Sequence, residues 1–388
     1  MLSRSLAYAS GAIPPGQGMI EAVRRLGLGD PSWLIAYAPE DAPLDAFVDA
    51  VRRCYPKATV CGCTSYQGTF SQDGFSRKIV VLAADAAEEI RLVTSLRDCG
   101  PNDAREVARG ACEELMGQMG RAPDMLFLYA TPGSEERILE GISDYFGPLP
   151  VFGGSAGDDH IAGRWRVFSE SGTSQAGFVL GAVSSPRSVR GGFLGGYLPT
   201  EHSGQVTRAS GRVVYEIDRQ PAARVYNTWT QGAIGAQVEH GGSVLSETTL
   251  FPLGKNVSHS GAMPQRLLAH PSAVVGSSGA IRLFTEFQTG DTITLMTSSP
   301  RSLVQRIERV VERTRSGVSG ELRGGLFLYC GGTLSVTLDL ADEIPSSLRR
   351  LCPNVPFVGV ATLGEQGAFF PRGGNYHGNL MCVAVLFF

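Results

Sequence analysis

Three sets of residues in this sequence are of types that could do chemistry. A serine stands in Gly153-Gly-Ser155-Ala-Gly157, the G-x-S-x-G spacing of a nucleophile elbow, and Asp158, Asp159 and His160 follow at once. An elbow needs a strand before the serine and a helix after it. A strand run precedes Ser155, but Asp158 to Gly163 reads as a polar loop, so a tight glycine turn explains the motif better than a serine hydrolase does. On that reading Ser155→Ala leaves folding and ligand binding nearly unchanged. Cys61 and Cys63 form a C-x-C pair, but no second pair completes four soft-metal ligands, and both thiols fall on one side of a strand as core residues. The histidines are His160, His202, His240, His259, His270 and His377, mostly in or beside Gly/Pro/Ser-rich stretches. A neutral imidazole serves haem iron and zinc alike, and the crowding between 202 and 270 marks that segment as a candidate ligand-bearing region. Neither a phosphate-cradling Walker loop nor a dinucleotide fingerprint occurs.

The remaining composition says what kind of chain must position these groups. At 388 residues it is long enough for two ordinary domains, with 43% hydrophobic and 18% charged residues, which excludes a disordered chain. Lys plus Arg number 34 against 37 Asp plus Glu, so no basic excess exists to neutralise nucleic acid. No apolar run reaches the ~20 residues of a spanning helix, and the N-terminus lacks the apolar segment of a secretory signal. The eight cysteines have no framework spacing and read as buried thiols. The expectation is a cytoplasmic protein without a membrane or nucleic-acid partner.

Laid side by side, the apolar runs repeat. Trp33 to Tyr37 is a buried-strand signal, Leu44, Phe47, Val48 and Val51 follow at helical spacing, and a second strand runs into Gly62-Cys-Thr-Ser65. Met125 to Tyr129, the helical stretch Ile138 to Phe146, and Val151-Phe-Gly153 repeat the order. Gly325 to Tyr329, a helix around Ile344 to Leu351, and Phe357-Val-Gly359 repeat it again, and each copy is trailed by further strand. The fold class expected is α/β, with mixed sheets and repeated strand–helix–strand units in two lobes. Tyr329 is expected over Tyr37 and Gly359 over Gly62. A boundary near Glu201 to Gly204 divides lobes of 1–200 and 205–388. In the second, a helix is expected at Ala222 to Thr230, a loop-rich stretch at 232–269, a strand pair at Ile281–Phe287 and Thr292–Met296, and an amphipathic helix from Pro300 to Glu312.

These landmarks resemble the FIST family of bacterial signalling proteins across nearly the whole chain. The N-terminal part of the pattern is visible in Val60-Cys-Gly-Cys-Thr-Ser65 and Val151-Phe-Gly-Gly-Ser-Ala-Gly-Asp-Asp159. The C-terminal part is visible in Tyr215-Glu-Ile-Asp-Arg-Gln-Pro-Ala222, Phe251-Pro-Leu-Gly254 and Pro356-Phe-Val-Gly-Val-Ala-Thr-Leu-Gly-Glu-Gln-Gly367. The resemblance implies a FIST N-like domain at 1–200, a FIST C-like domain at 205–388, and a sensory module for a small ligand without enzymatic activity. Gly364-Glu-Gln-Gly367 and Tyr376-His-Gly-Asn-Leu-Met381 resemble the subgroup of haem-binding nitric-oxide sensors, which implies a sensor histidine kinase or another signalling protein as partner. Other relatives, with more polar wording at these two places, are suspected of sensing amino acids or similar metabolites. Gly331-Gly-Thr333 lacks an arginine that many relatives place nearby, which leaves room for an apolar ligand.

Haem needs a strong axial base and a large apolar slot. His240, in a glycine-flanked stretch, is the favoured base and metal ligand; His270 and His377 are the other candidates. The pocket is expected where two glycine-rich turns end their strands, at Cys330, Gly331 and Gly332 and at Thr362, Gly364 and Glu365, because ligands of open α/β sheets bind at strand carboxyl ends. The alternatives to haem are a metabolite-binding module in the same crevice and, further off, a hydrolase using Ser155.

Overall fold

In a computed structural model the described residues are 1–6, 17–85, 90–100, 102–185, 189–258, 265–369 and 374–388. The chain is α/β with mixed sheets, and its repeats are longer than the sequence pattern indicates. The first runs through strand Leu2–Leu6, helix Gln17–Arg24, strand Pro31–Pro39, helix Leu44–Cys54, strand Thr59–Ser65, the hairpin Thr69–Ser71 and Gly74–Ser76, and strand Ile79–Asp85. The second repeats the order with Arg91–Asp98, Ala104–Met119, Met125–Ala130, Glu135–Phe146, Val151–Ser155, the hairpin Val167–Ser169 and Gly172–Ser174, and Gly177–Ser184. In the third the order is Val189–Leu194, Pro300–Arg315, Gly324–Cys330, Glu343–Leu351, Phe357–Thr362, the hairpin Glu365–Ala368 and Asn375–Gly378, and Cys382–Phe387. The stretch from Leu198 to Thr297 is an insertion between the first strand and first helix of the third repeat.

Each repeat builds one six-stranded sheet in which the two crossover-linked strands are parallel and the trailing strand is antiparallel to the first of them. The hairpins do not stay home. That of the first repeat pairs with Phe357–Thr362 of the third, that of the second with Thr59–Ser65 of the first, and that of the third with Val151–Ser155 of the second. Three sheets are thus laced into a ring by one exchanged hairpin each. Their inner faces meet in a single cluster that includes Tyr37, Tyr129, Phe152, Leu328 and Phe387, with the Tyr37 and Tyr129 hydroxyls 2.8 Å apart. The outer faces are covered by the helices, whose apolar stripes (Leu44, Phe47, Val51; Ala108, Leu115, Ile142; Val304, Ile307, Val311) close three further clusters.

The exchange needs glycine at one point of each sheet. Gly62, Gly153 and Gly359 hold equivalent positions, and a Cβ would stand 1.7 Å from the Ala36 oxygen at the first and 1.8 Å from the Leu128 oxygen at the second. Opposite these glycines the incoming hairpins place Phe168, Gln366 and Phe70 respectively. With the glycines superposed, it is Leu328, not Tyr329, that matches Tyr37 and Tyr129. The expected equivalence of Tyr329 and Tyr37 fails by one register, which in a strand means the opposite face; Tyr329 lies in the outer cluster with Phe327.

The insertion forms a nine-stranded antiparallel sheet with its own core around Val206, Ile217, Tyr226 and Ile293. Helix Ala222–Trp229 is present as expected, and helix Pro300–Arg315, capped by the Ser299 hydroxyl, extends past Glu312. The stretch read as loop carries helices Gly235–His240 and Leu245–Thr248 and strands Leu253–Ser258 and Gln265–Ala269. Ala280–Leu283 and Thr292–Thr297 share this sheet but are not neighbours, because Val213–Ile217 and Leu198–Ser210 lie between them. Hydrogen bonding also crosses the junction at 200–205, since Val189–Leu194 pairs with Cys382–Phe387.

Candidate functional site

Carboxyl ends of parallel strands from all three repeats converge under the insertion on a cavity of about 270 Å³. Tyr66 follows Thr59–Ser65, Pro132 follows Met125–Ala130, Trp165 lies on the connection after Val151–Ser155, Cys330 ends its strand, and Leu363 follows Phe357–Thr362. The insertion supplies Arg212, Leu245, Thr249, His270 and Phe284 as the facing wall. Most of the wall is apolar. Its charged part is a pair, Glu135 and Arg212.

Glu135 opens helix Glu135–Phe146 and is 1% exposed. Its carboxylate accepts from the Gly133 amide (2.8 Å), from the Ser155 hydroxyl (2.6 Å) and from Arg212 Nη2 (2.6 Å), and the same Nη2 reaches Glu136 at 2.5 Å. Burial pushes the Glu135 carboxyl up, but its surroundings, His377 and the Arg212 guanidinium together with the Ser155 hydroxyl, outweigh it and hold it well below the usual carboxylate range. Gln366 Nε2 donates to Ser155 Oγ (3.1 Å) and to His377 Nδ1 (3.0 Å), while His377 Nε2 lies 3.2 Å from the Phe284 carbonyl oxygen. Glu135, Glu136 and His377 bring potential metal-ligand atoms within 4.8 Å of one another, but Arg212 already stands between the two carboxylates as their counter-ion.

His270 is buried against the insertion, with Nε2 near the Leu245 carbonyl oxygen (3.2 Å) and the Thr249 hydroxyl (3.3 Å). Burial lowers its pKa to about 4, so it is neutral at pH 7. With the proton on Nε2, Nδ1 is an open acceptor, close to where a side chain on Gly332 would begin.

Of the residues singled out in the sequence, His270, His377, Cys330 and Gly332 line this cavity. Gly331, Thr362, Gly364 and Glu365 stand behind that wall. Gly331 packs on the Tyr66 ring, and Gly364 leaves the space into which His377 fits. Glu365 is fully buried, accepts from Thr362 Oγ1 (2.8 Å) and the Met381 amide (2.9 Å), and is pushed by burial up to about 8. The Cys330 thiol accepts from the Leu380 amide and is pushed by burial up to about 12, so it is no nucleophile. His240 is not part of the cavity. It ends a surface helix with 79% of its side chain exposed, beside Glu239. His202 stacks on Trp229, and His259 lies outside the described residues.

Among the described residues Ser155 has no imidazole partner. Its hydroxyl proton goes to a carboxylate, which gives a structural link rather than an activated nucleophile. The link is nevertheless specific, so the side chain is not idle as the turn reading implied. Glu135, Arg212, Tyr66 and Trp165 carried no signal in the sequence. Glu135-Glu136 reads as an ordinary acidic first turn of a helix, and Arg212 as a lone charge beside a turn glycine.

Profile comparison finds a FIST N domain over residues 32–220 and a FIST C domain over 222–368, meeting later than the 200–205 junction. An uncharacterized protein of Methanocaldococcus jannaschii is 31% identical over 93 residues, which is 24% of this chain. The match spans 18% of that relative's length. Among the described residues no helix is long and apolar enough to cross a membrane. With both profiles matched in order, and with a cavity built jointly by the two matched regions, the chain belongs to the FIST family of sensory, ligand-binding domains in signal transduction.

Proposed function

We propose that this protein senses a small zwitterionic, amino-acid-like metabolite in the cavity between the repeats and the insertion, and that occupancy is passed to a signalling partner such as a histidine kinase. The observation that carries this reading is the Glu135–Arg212 pair on a mostly apolar wall, with Glu136 bound to the same guanidinium from outside the lining. Two carboxylates against one guanidinium leave a net negative charge that favours an ammonium. Arg212 Nε and Nη1, without a protein partner among the described residues, suit a carboxylate in the bidentate manner of arginine. Phe284, Leu245, Leu363 and Trp165 offer an apolar body its contacts. His270 Nδ1 adds one acceptor.

Haem fits these residues poorly. The cavity, at about 270 Å³, falls below the ~300–1,000 Å³ usual even for drug-sized ligands. Both nitrogens of His377 are engaged and His240 faces solvent, which leaves His270 Nδ1 as the available imidazole donor. The nitric-oxide reading therefore ranks second. Calorimetric titration with the twenty amino acids, alongside haem reconstitution of wild type and the His240→Ala, His270→Ala and His377→Ala variants, separates the two. Saturable amino-acid binding lost in Arg212→Leu is expected. A Soret band in wild type that disappears in one histidine variant, with no amino acid bound, would sink the proposal.

A further inference from the structure

The pseudo-threefold arrangement makes one departure visible. At the points where the hairpins cross the sheet glycines, two of the repeats bury an aromatic ring, Phe70 against Gly359 and Phe168 against Gly62. At the third point the residue facing Gly153 is Gln366. The cross-strand neighbours differ in all three repeats, Phe168 being paired with Thr173. Phe70 is paired with Phe75, whose ring stacks on it at 6.4 Å, whereas Gln366 is paired with His377. A buried ring stabilises the fold, and a buried amide costs free energy unless it is bonded, so an amide and an imidazole at this one site call for a reason other than packing.

We propose that Gln366 is a positioning residue that keeps His377 uncharged, with its proton on Nε2 alone, so that Arg212 is the one cation on the described wall of the cavity. The inference takes from the function proposed above only that this cavity is the binding site.

The wiring fixes the direction of every proton in the chain. The Ser155 hydroxyl gives its hydrogen to Glu135 Oε1, so Ser155 Oγ can only accept from Gln366. That puts the amide nitrogen of Gln366, not its oxygen, at this end; the flipped amide would set two acceptors 3.1 Å apart. The same Nε2 faces His377 Nδ1 at 3.0 Å, so Nδ1 must be the acceptor and carries no hydrogen. The proton of the ring then sits on Nε2, directed at the Phe284 carbonyl oxygen at 3.2 Å, with Glu135 Oε1 farther off at 3.9 Å. An imidazolium would need a second acceptor at Nδ1, and Gln366 withholds it. With His377 neutral, Arg212 and Ser155 remain to keep Glu135 ionised. With His270 also neutral, the ligand meets one fixed cation and a net negative surround. The buried Gln366 Oε1 is left without a partner, so the amide is held by its donor side alone.

The test is the imidazole nitrogen spectrum of ¹⁵N-histidine-labelled, ligand-free protein at pH 7, with His377 assigned by its loss in His377→Gln. Wild type is expected to show Nε2 protonated and Nδ1 bare. In Gln366→Glu the ring lies between two carboxylates and both nitrogens should become protonated. Gln366→Met keeps the volume and removes the amide; there Nε2 stays protonated and the Nδ1 resonance shifts to that of a nitrogen without a donor. A wild-type His377 protonated on Nδ1 overturns the proposal, even if neither Gln366 variant folds. So does a ring that is unchanged in both variants. Because no ligand is present, failure of every amino acid to bind would end the sensor reading without touching this result, and the reverse holds equally.

Discussion

Glu365→Gln tests the electrostatics behind the cavity wall. The native carboxyl is fully buried and pushed from 4.5 up to about 8, mainly by burial, against the hydrogen bonds of the Thr362 hydroxyl, the Met381 amide and the Cys330 thiol. A carboxyl whose folded pKa is raised favours the folded state at low pH. That advantage is complete below about 4.5 and is lost as the pH rises through 8. At about 1.4 kcal/mol per pH unit, holding the acid protonated at pH 7 costs about 3 kcal/mol relative to pH 4, growing to about 5 kcal/mol above pH 8.5. Glutamine does not titrate and keeps the Met381 and Thr362 contacts, its oxygen accepting from Met381 and its amide donating to Thr362. The stability of Glu365→Gln minus that of wild type should therefore climb by about 3 kcal/mol between pH 4 and pH 7, read from urea unfolding followed by circular dichroism. The competing arrangement is specific. Arg306 is fully buried, donates to the Gly195 and Leu380 carbonyl oxygens, and has Nε and Nη2 unpartnered. If Glu365 were ionised as its counter-ion, the variant would strand a buried cation and lose about 3–5 kcal/mol at pH 7. A gap that stays flat from pH 4 to 8.5, with the variant the weaker, refutes the reasoning.

Ser155→Ala removes a hydroxyl that links Glu135 to Gln366 and should cost about 1–3 kcal/mol in chemical denaturation, against the near-neutrality expected of a turn serine. Gly153→Ala puts a Cβ 1.8 Å from the Leu128 carbonyl oxygen, with backbone rather than a mobile side chain as the obstacle, so soluble expression should fail. Arg212→Leu leaves Glu135 buried and uncompensated; a loss of about 3–5 kcal/mol at pH 7 is expected, shrinking at pH 3 where the orphaned carboxyl takes up a proton. A loss independent of pH would count against that assignment.

The strand–helix–strand units were legible because glycine and proline punctuate them and because helical and strand periods differ, as between Leu44–Val51 and Trp33–Tyr37. Matching landmarks by residue type was less safe. Tyr329 has the look of Tyr37 and Tyr129, yet one residue of offset turns it to the other face. The hairpin exchange could not be read, since nothing local to Thr69–Ser71 says that its partner lies at Phe357–Thr362. Of the cavity, the strand-end residues Cys330 and Gly332 were reachable by the carboxyl-end rule, whereas Glu135 and Arg212 meet only in three dimensions, from the second repeat and the insertion. His240 was attractive for its flexible surroundings, but flexibility at a surface helix end carries a side chain into water as readily as toward a ligand.

The laced hairpins have a consequence for how the protein is made. A ribosome releases Thr69–Ser71 long before it has built the strand this segment must join, Phe357–Thr362. At ~5–20 residues per second the wait is roughly fifteen seconds to a minute. Throughout it the first hairpin has no sheet, and the second repeat's sheet has an open edge at Val151–Ser155 until Glu365–Ala368 arrives. Nascent chains should therefore resist stepwise completion of one repeat after another, lean on chaperones that shield unpaired strands, and lock all three sheets together only when the last repeat emerges. Cutting the chain between repeats would leave each fragment with an unfilled edge and a hairpin to offer, which favours exchange between copies over folding alone.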